Sequence, residues 1–506
     1  MNVMSQLFNL FEDKGIRYVH FKSNCNLNES FNGKADFDVL VDKKKLLDTE
    51  IILSSIKGKR FNPVRYGRYP GVDNWIIFDE ESGILYHLHL HYQIASGKAL
   101  IKDYIIPWEE IIFETRIKDL ENDIYITNPN LEILLLTVRS VIKSHMSDRI
   151  KASFGLYQMH SSLLYEKKYL LSLIDADIVN KNIQQIFPER YADIISKCSL
   201  KDKISGREFI KLSKAVRKSL KEYRRLSPFK SNVSAFQERI GDIKNKVLAR
   251  KFDKNIITKK TSLHGGAIIA FVGSDGAGKS TVTTEIQRWL SKKIECKRFY
   301  MGTGDGKTTL FGKIIKGVGT KVQSSEKSES VSKSNVKKLS LFKHPKKYLR
   351  KRFKMSLISD VEKNNFKKII SMNQYRINGG ISVLDRYPQI EIPGQNDGPK
   401  IGQYIPYFGE TRTIKRLKRK EAEYLSIVKK IKPDVVFRLN ISADTALERK
   451  DDLKKDDPIA IANFRKKVED VRKIKFQGAR IIDIDAEQPF EQELLQIKRI
   501  IWNEII

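Results

Sequence analysis

The residues Gly273-Ser274-Asp275-Gly276-Ala277-Gly278-Lys279-Ser280-Thr281 satisfy the spacing G-x-x-x-x-G-K-[ST] at every fixed position. That spacing is phosphate chemistry. Glycines let successive backbone N–H groups turn inward around phosphate oxygens, and a helix N-terminus adds partial positive charge. Lys279 would reach the β- and γ-phosphates of a nucleoside triphosphate, and Ser280 would hold Mg²⁺. Context separates such a loop from a chance glycine-rich turn. Residues 267–272 are an apolar run suited to a buried strand, and residues 282–290 read as a helix. Gly273 to Thr281 are therefore the candidate nucleotide-binding residues, with ATP and Mg²⁺ as the implied cofactors.

Two further groups of residues have types and spacings that do chemistry. Asp385-Arg386-Tyr387 follows an apolar run. An acid at a strand end can position a Mg²⁺ shell, and an arginine beside it can bind phosphate. The triplet alone also fits an exposed salt bridge; the phosphate loop is what gives it weight. In the N-terminal part, Asp36-Phe37-Asp38-Val39-Leu40-Val41 is an alternating strand with both carboxylates on one face. Such a pair is a hard-oxygen site for Mg²⁺. A later strand over residues 84–92 carries His87, His89 and His91, also on one face. They offer nitrogen ligands to a transition metal, or they fill a half-buried strand face. The sequence shows no ligand closing on them from another element.

A chain of 506 residues needs two or three domains to position these groups. From Gly266 onward, short apolar strands (267–272, 297–301, 380–384, 435–439 and 481–484) alternate with helices. That alternation predicts a doubly wound parallel α/β sheet, with ligands at the carboxyl ends of its strands. Residues 128–256 read as helical, with apolar spacing over 131–142 and 209–220. The expected division is an α+β domain over 1–127, a helical extension and connector over 128–260, and a phosphate-loop domain over 261–506.

Apolar content of 41% suits a globular chain, and no apolar run is long enough to span a bilayer. No signal-peptide pattern opens the sequence. Cys25, Cys198 and Cys296 lie far apart, without metal or redox spacing, so a reduced cytoplasm is the expected location. The net charge of +33 fits either solvated lysine faces or an anionic partner, and its distribution helps decide. Between Lys307 and Lys354, fifteen Lys or Arg face two acids, with a Ser/Lys/Glu-rich loop expected over 324–334. A second basic cluster is Arg412, Lys415, Arg416, Lys418, Arg419 and Lys420. Both flank the predicted nucleotide site, so part of this charge is assigned to phosphates there. The inner membrane surface is a further anion such segments could meet. No helix-turn-helix, zinc-finger or RNA-binding signature is present, which disfavours nucleic acid.

The order GSDGAGKST, DRY, Lys432-Pro433-Asp434-Val435-Val436-Phe437-Arg438-Leu439, then Ala446-Leu447-Glu448-Arg449 resembles thymidylate kinase. Phe464, Val468 and Val471 on a late helix, and a strand ending in Asp483-Ile484-Asp485-Ala486, extend the resemblance to the C-terminus. It implies a P-loop nucleoside-monophosphate-kinase fold and ATP-dependent phosphoryl transfer. It also implies roles: Lys279 and the loop amides hold phosphates, Asp385 acts through Mg²⁺ and its waters, Arg386 clamps phosphates, Arg449 starts a mobile lid, and Asp275 meets the acceptor. Where thymidylate kinases carry Arg-Glu-Pro-Gly-Gly, this chain has Tyr300-Met301-Gly302-Thr303-Gly304. Where they carry a thymine-recognising run, it has Pro388-Gln389-Ile390-Glu391 and then Asp397-Gly398-Pro399. These pieces resemble a group of thymidylate-kinase-like proteins met among bacterial surface-polysaccharide functions, and they make Gly302, Gly304 and Asp397 candidate acceptor residues. Asp397-Gly398-Pro399 also reads as a plain turn. The implied acceptor is a sugar, sugar phosphate or lipid-linked glycan; dTMP is the alternative.

The N-terminal strand pair resembles a nucleotidyltransferase domain of the polymerase-β type, whose Asp-x-Asp pair works with a third carboxylate on a later strand. His89 stands where that carboxylate should be, and His91 matches a histidine of related proteins. The Gly-Ser of active members is not evident in Lys22-Ser23-Asn24. Two-metal transfer needs negative charge to hold both ions. The domain is thus either an active nucleotidyltransferase, regulated by the P-loop domain, or a binding module. A third class, a non-enzymatic nucleic-acid or membrane-surface binder, would use the same charges without turnover.

Overall fold

The computed structural model describes residues 2–64, 69–252, 255–302, 345–394, 397–449 and 458–506. Gly304, the 324–334 loop, most of the 307–354 basic run and the segment following Arg449 lie outside the described residues. The chain forms two compact units, Met1–Leu263 and His264–Ile506.

The first unit is built on an eight-stranded sheet. Its strands are β1 (Tyr18–His20), β2 (Phe37–Val41), β3 (Lys59–Asn62), β4 (Val72–Phe78), β5 (Leu85–His91), β8 (Ile117–Asp119), β9 (Ile124–Ile126) and β10 (Thr261–Ser262), while β6 (Ile94–Ser96) and β7 (Tyr104–Ile106) pair separately. The order is β10-β3-β4-β5-β2-β1-β9-β8. β2 and β5 run parallel with Asp38 beside His89, and β4 pairs antiparallel to β5 with Asn74 beside His89. Alternation sends Phe37, Val39, Leu88 and Leu90 into a core with Phe8 and Phe11 of the Val3–Asp13 helix. The intervening Asp38, His87, His89 and His91 face the other way. Six helices between Pro129 and Ser219 bury a second core that includes Leu134, Val138, Phe209 and Val216. Asn128 starts the first of them by accepting from Asn130 N, ahead of a helix-initiating Pro129. The helical segment thus belongs to the first unit. Residues 261–262, expected in the phosphate-loop domain, pair with β3 instead.

The second unit has five parallel strands, β11 (Ile268–Gly273), β12 (Cys296–Tyr300), β13 (Ile381–Asp385), β14 (Val435–Asn440) and β15 (Ile481–Asp485), in the order β12-β13-β11-β14-β15. All five begin and end within one residue of the runs expected from the sequence. Near-continuous apolar composition is what a strand covered on both faces requires. Ile268, Ala270 and Val272 of β11 pack with Ile369, Met372, Tyr424 and Val428 of the Pro345–Ile377 and Arg412–Lys430 helices. The alternate residues Ile269 and Phe271 are also fully buried, and Phe271 stacks on Phe437 at 5.1 Å between centroids. Such a pair adds about 0.5–1.5 kcal/mol beyond its burial. Among the described residues, no helix is long and apolar enough to cross a membrane.

Candidate functional site

In the second unit, β11 delivers its carboxyl end into the glycine loop, and the loop enters the Lys279–Ser291 helix. The turn needs left-handed backbone. Gly276 has φ +91, and a Cβ there would stand 3.1 Å from the Ala446 carbonyl; Gly278 has φ +78. Lys279 is buried, and its Nζ donates to the Ser274 carbonyl at 2.6 Å. Burial, then the nearby Arg386 guanidinium, pull its pKa down to about 8, against the opposing pull of Asp275, Asp385 and Asp397.

Asp385 ends β13, next to Phe271 of β11. Its Oδ2 accepts from the Ser280 hydroxyl at 2.6 Å and from Arg298 Nη2 at 2.6 Å, while Arg298 Nε donates to Thr283 Oγ1 at 2.8 Å. Its Oδ1 is buried and accepts no hydrogen bond. Leaving a buried carboxylate oxygen without a donor costs about 1–3 kcal/mol or more, so this atom is aimed at something. A serine hydroxyl beside a carboxylate oxygen is a donor set that fits a hard, hydrated cation of the Mg²⁺ class. Arg298 was missed in the sequence. Beside Lys297 on a short strand, it reads as one of two adjacent surface charges.

Arg386 takes a left-handed φ of +73, which a non-glycine residue holds only under tertiary constraint. Its Nη2 donates to Asp275 Oδ1 at 2.8 Å, and its Nη1 lies 3.5 Å from Asp397 Oδ2. Gly302 lies so close that a Cβ would stand 3.0 Å from Arg386 Cδ. Lys279, Arg386 and Asp397 thus line one cleft of about 290 Å³ with Val272, Gly273 and Tyr387. Arg449 ends the Ala443–Glu448 helix beside the loop, its Nη1 donating to the Ala486 carbonyl at 3.2 Å.

Asp397 also lines a second cleft, of about 460 Å³, with Met301, Glu362, Asn365, Lys400 and Tyr424. Burial and the adjacent Glu421 push the Glu362 carboxyl up to about 8. Glu421 accepts from the backbone N–H groups of Lys400 and Ile401 at 2.6 and 2.9 Å, which ties down the segment following Asp397-Gly398-Pro399. Neither glutamate stands out in the sequence, because both lie on long helices among many charged residues. The basic residues 412–420 begin the Arg412–Lys430 helix.

In the first unit the two carboxylates and three histidines do come together. His87 Nδ1 lies 2.9 Å from Asp36 Oδ2. Asp38 Oδ1 lies 3.2 Å from both His89 Nδ1 and His91 Nε2, and 2.9 Å from Lys22 Nζ. Burial would raise the Asp38 carboxyl, but Lys22 and the two histidines outweigh it and hold the group well below the usual carboxylate range. Burial holds His87 and His91 down to about 3. Behind them, Asn24 donates to Glu132 at 2.7 Å and Arg139 pairs with Glu166 at 3.0 Å. Lys102 and Lys143 are pulled down to about 8 and about 7, first by burial and then by repulsion from Lys22 and Arg139, with Lys102 adding to the repulsion on Lys143. The groups that meet the histidines from another element are Asp36 and Asp38, brought alongside by the β2–β5 pairing, an adjacency not visible in the sequence.

No protein-family model matches the chain. Over 241 residues, 45% of this chain, it is 26% identical to the uncharacterized ATP-binding protein YghS of Escherichia coli K12, covering 89% of that protein. Over 242 residues, 46% of this chain, it is 28% identical to the uncharacterized ATP-binding protein YghR of the same strain, covering 86% of it. Among solved structures, a deoxyadenosine kinase from M. mycoides with bound dATP aligns over 46% of this chain and 97% of its own, at 16% identity and a TM-score of 0.26. The part of the chain from His264 onward is an α/β domain with a parallel sheet and a glycine loop of G-x-x-x-x-G-K-[ST] spacing.

Proposed function

We propose that the second unit is an ATP- and Mg²⁺-dependent phosphotransferase of the doubly wound, thymidylate-kinase-like kind, whose acceptor is a sugar, sugar phosphate or lipid-linked glycan. The observation that carries this reading is the convergence on Asp385. One of its oxygens is held by Ser280 and Arg298, and the other is buried without a donor at the mouth of the glycine loop. The loop amides and Lys279 would hold the triphosphate, and Ser280 and Asp385 the cation. When bound, Mg²⁺ supplies charge neutralisation at the transferring phosphoryl group. Lys279 and Arg386 bring two more positive charges to the same cleft, already oriented by Ser274 and Asp275. Preorganised charge of this kind is the main source of rate in phosphoryl transfer, so no strong general base is needed. The γ-phosphoryl group would pass from the β–γ bridging oxygen to an acceptor hydroxyl, whose proton would be released to solvent, and ADP would leave.

The second cleft supports a hydroxyl-rich acceptor. Glu362, Asn365, Asp397 and Lys400 present polar groups over an apolar floor of Met301 and Tyr424. A few placed polar groups on an apolar lining are what orient a small ligand. The residues that grip thymine in thymidylate kinases are replaced here, and a site built for one hydrogen-bonding partner does not keep its selectivity without those groups. That YghS and YghR are described as ATP-binding proteins supports the donor half of the reading. Three free cysteines and a reliance on ATP suit the cytoplasm.

ATP turnover by the purified full chain with Mg²⁺, given dTMP and a panel of sugars and sugar phosphates, tests this beside Lys279→Ala. Transfer to a sugar or sugar phosphate, lost in the variant, is the expected result. Transfer to dTMP alone would sink the acceptor reading. Transfer surviving Lys279→Ala but lost in Asp36→Ala or Asp38→Ala would move catalysis to the first unit and make it a nucleotidyltransferase. Salt-dependent DNA or liposome binding without any turnover would make the chain a binder.

A further inference from the structure

We propose that Asp36, His87 and His89 form a site for one first-row transition-metal ion of the Zn²⁺ class, separate from the Mg²⁺ chemistry of the second unit. One ligand atom from each residue lies within 4.8 Å of the others. The donor set, two imidazole nitrogens and a carboxylate oxygen, is that of borderline-soft ions rather than of Mg²⁺.

The tautomers favour a cation. His87 is fully buried, and its Nε2 lies 3.1 Å from Asn74 Oδ1, an acceptor. With Nε2 assigned as the donor to that oxygen, the lone pair is on Nδ1. That Nδ1 is buried, makes no hydrogen bond of acceptable angle, and stands 2.9 Å from Asp36 Oδ2. A lone pair facing a carboxylate oxygen at that range repels it unless a cation lies between. Ligand atoms about 2.0–2.2 Å from Zn²⁺ are roughly 2.9–3.4 Å apart for angles between octahedral and tetrahedral, so the spacing suits an ion. Likewise, His89 Nδ1 faces Asp38 Oδ1 at 3.2 Å, which leaves the lone pair on Nε2. Each histidine thus gives its N–H to an outer acceptor, as metal-bound histidines do.

The neighbouring triad of Asp38, His89 and His91 meets the same distance condition, but the Lys22 ammonium lies 2.9 Å from the Asp38 oxygen that both histidines approach. A cation is already there, so the count is one ion per chain rather than two. Three protein ligands leave at least one position for solvent.

The test is equilibrium dialysis of the untagged full chain, first stripped with chelator, against Zn²⁺ and Co²⁺ with millimolar Mg²⁺ present, with Co²⁺ read also by its visible absorption. One ion per chain, unmoved by Mg²⁺, is expected. Asp36→Asn and His89→Gln, both at partly exposed positions, should abolish it. Asn74→Ala, which removes only the outer acceptor, should weaken it by about 10–100-fold. Circular dichroism checks that each variant folds, and phosphotransfer by the second unit should be unchanged in all three. Absence of ion binding to the wild-type chain would overturn the proposal, since it would mean that a proton on His87 Nδ1 is shared with Asp36. So would binding that persists in Asp36→Asn and His89→Gln, which would place the ion at another of the eight histidines.

Discussion

Asp385 and Asp38 both sit on strands and both gather their partners on one carboxylate oxygen, yet the partners differ in kind. On Asp385, Ser280 and Arg298 share one oxygen, and the second is buried without a donor. On Asp38, Lys22, His89 and His91 converge on one oxygen, Oδ1. Beside Asp385 stand the neutral Ser280 hydroxyl, a ligand type that suits a hard divalent cation, and an Arg298 guanidinium shared with Thr283. Beside Asp38 stand an ammonium and two imidazoles, and Asp36 lies next to a third imidazole, that of His87. Carboxylate spacing therefore marks where a cation could sit, and the partners decide which cation it is.

The sharpest test of that contrast is paired. Lys279→Ala should lower ATP turnover by about 10²–10³-fold, the size of losing one preorganised charge, whereas Asp38→Asn should leave turnover within about twofold, because Asp38 holds no phosphate or Mg²⁺ in this reading. Equal losses in a steady-state assay would erase the distinction between the two sites. Next in size, Asp385→Asn should cost about 10²-fold and raise the Mg²⁺ concentration needed for half-maximal turnover, read from Mg²⁺ titrations. An unchanged Mg²⁺ requirement would remove Asp385 from the cation site. A smaller effect is expected from Lys22→Met. With the ammonium gone, the Asp38, His89 and His91 triad can compete for the ion, but His89 is common to both triads, so Zn²⁺ stoichiometry in equilibrium dialysis should stay at one per chain while Asp36→Asn no longer abolishes binding. Abolition of binding by Asp36→Asn in the Lys22→Met background would mean that Lys22 is not what keeps that triad closed.

The smallest effect concerns pH. The Glu362 carboxyl is pushed up to about 8 in the folded chain, above its ordinary value near 4.5. The folded state therefore binds more protons than the unfolded one between those values, and stability from this group is full below about 4.5 and is lost as pH rises through about 8. Glu362→Gln should flatten the fall in thermal midpoint between pH 5 and pH 9. An identical slope in the variant would show that Glu421 does not hold Glu362 protonated.

Much of the second unit was legible because its signals are local. An apolar run, a glycine loop and an amphipathic segment fix strand, turn and helix within about twenty residues of chain, and all five expected strands are present to within a residue. In the first unit the strands over residues 36–41 and 84–92 were also legible, since period-two alternation is local as well. What the sequence could not supply was adjacency. Arg298 and Asp385 meet across 87 residues. Glu421 reaches back to Lys400 because the Ile401–Tyr404 turn that Lys400 starts packs against the Arg412–Lys430 helix. The histidines looked unpartnered until β2 lay parallel to β5 and set Asp38 beside His89.

Composition and spacing alone determined the phosphate loop, the parallel sheet that carries it, and the alternating faces of the N-terminal strands, because each depends on backbone geometry over a few neighbouring residues. Strand register, the left-handed turn at Arg386, and the choice of which carboxylate oxygen stays unmatched were decided only by the tertiary structure. They depend on which groups packing brings within about 3 Å of one another, and that distance is not a property of any short stretch of chain.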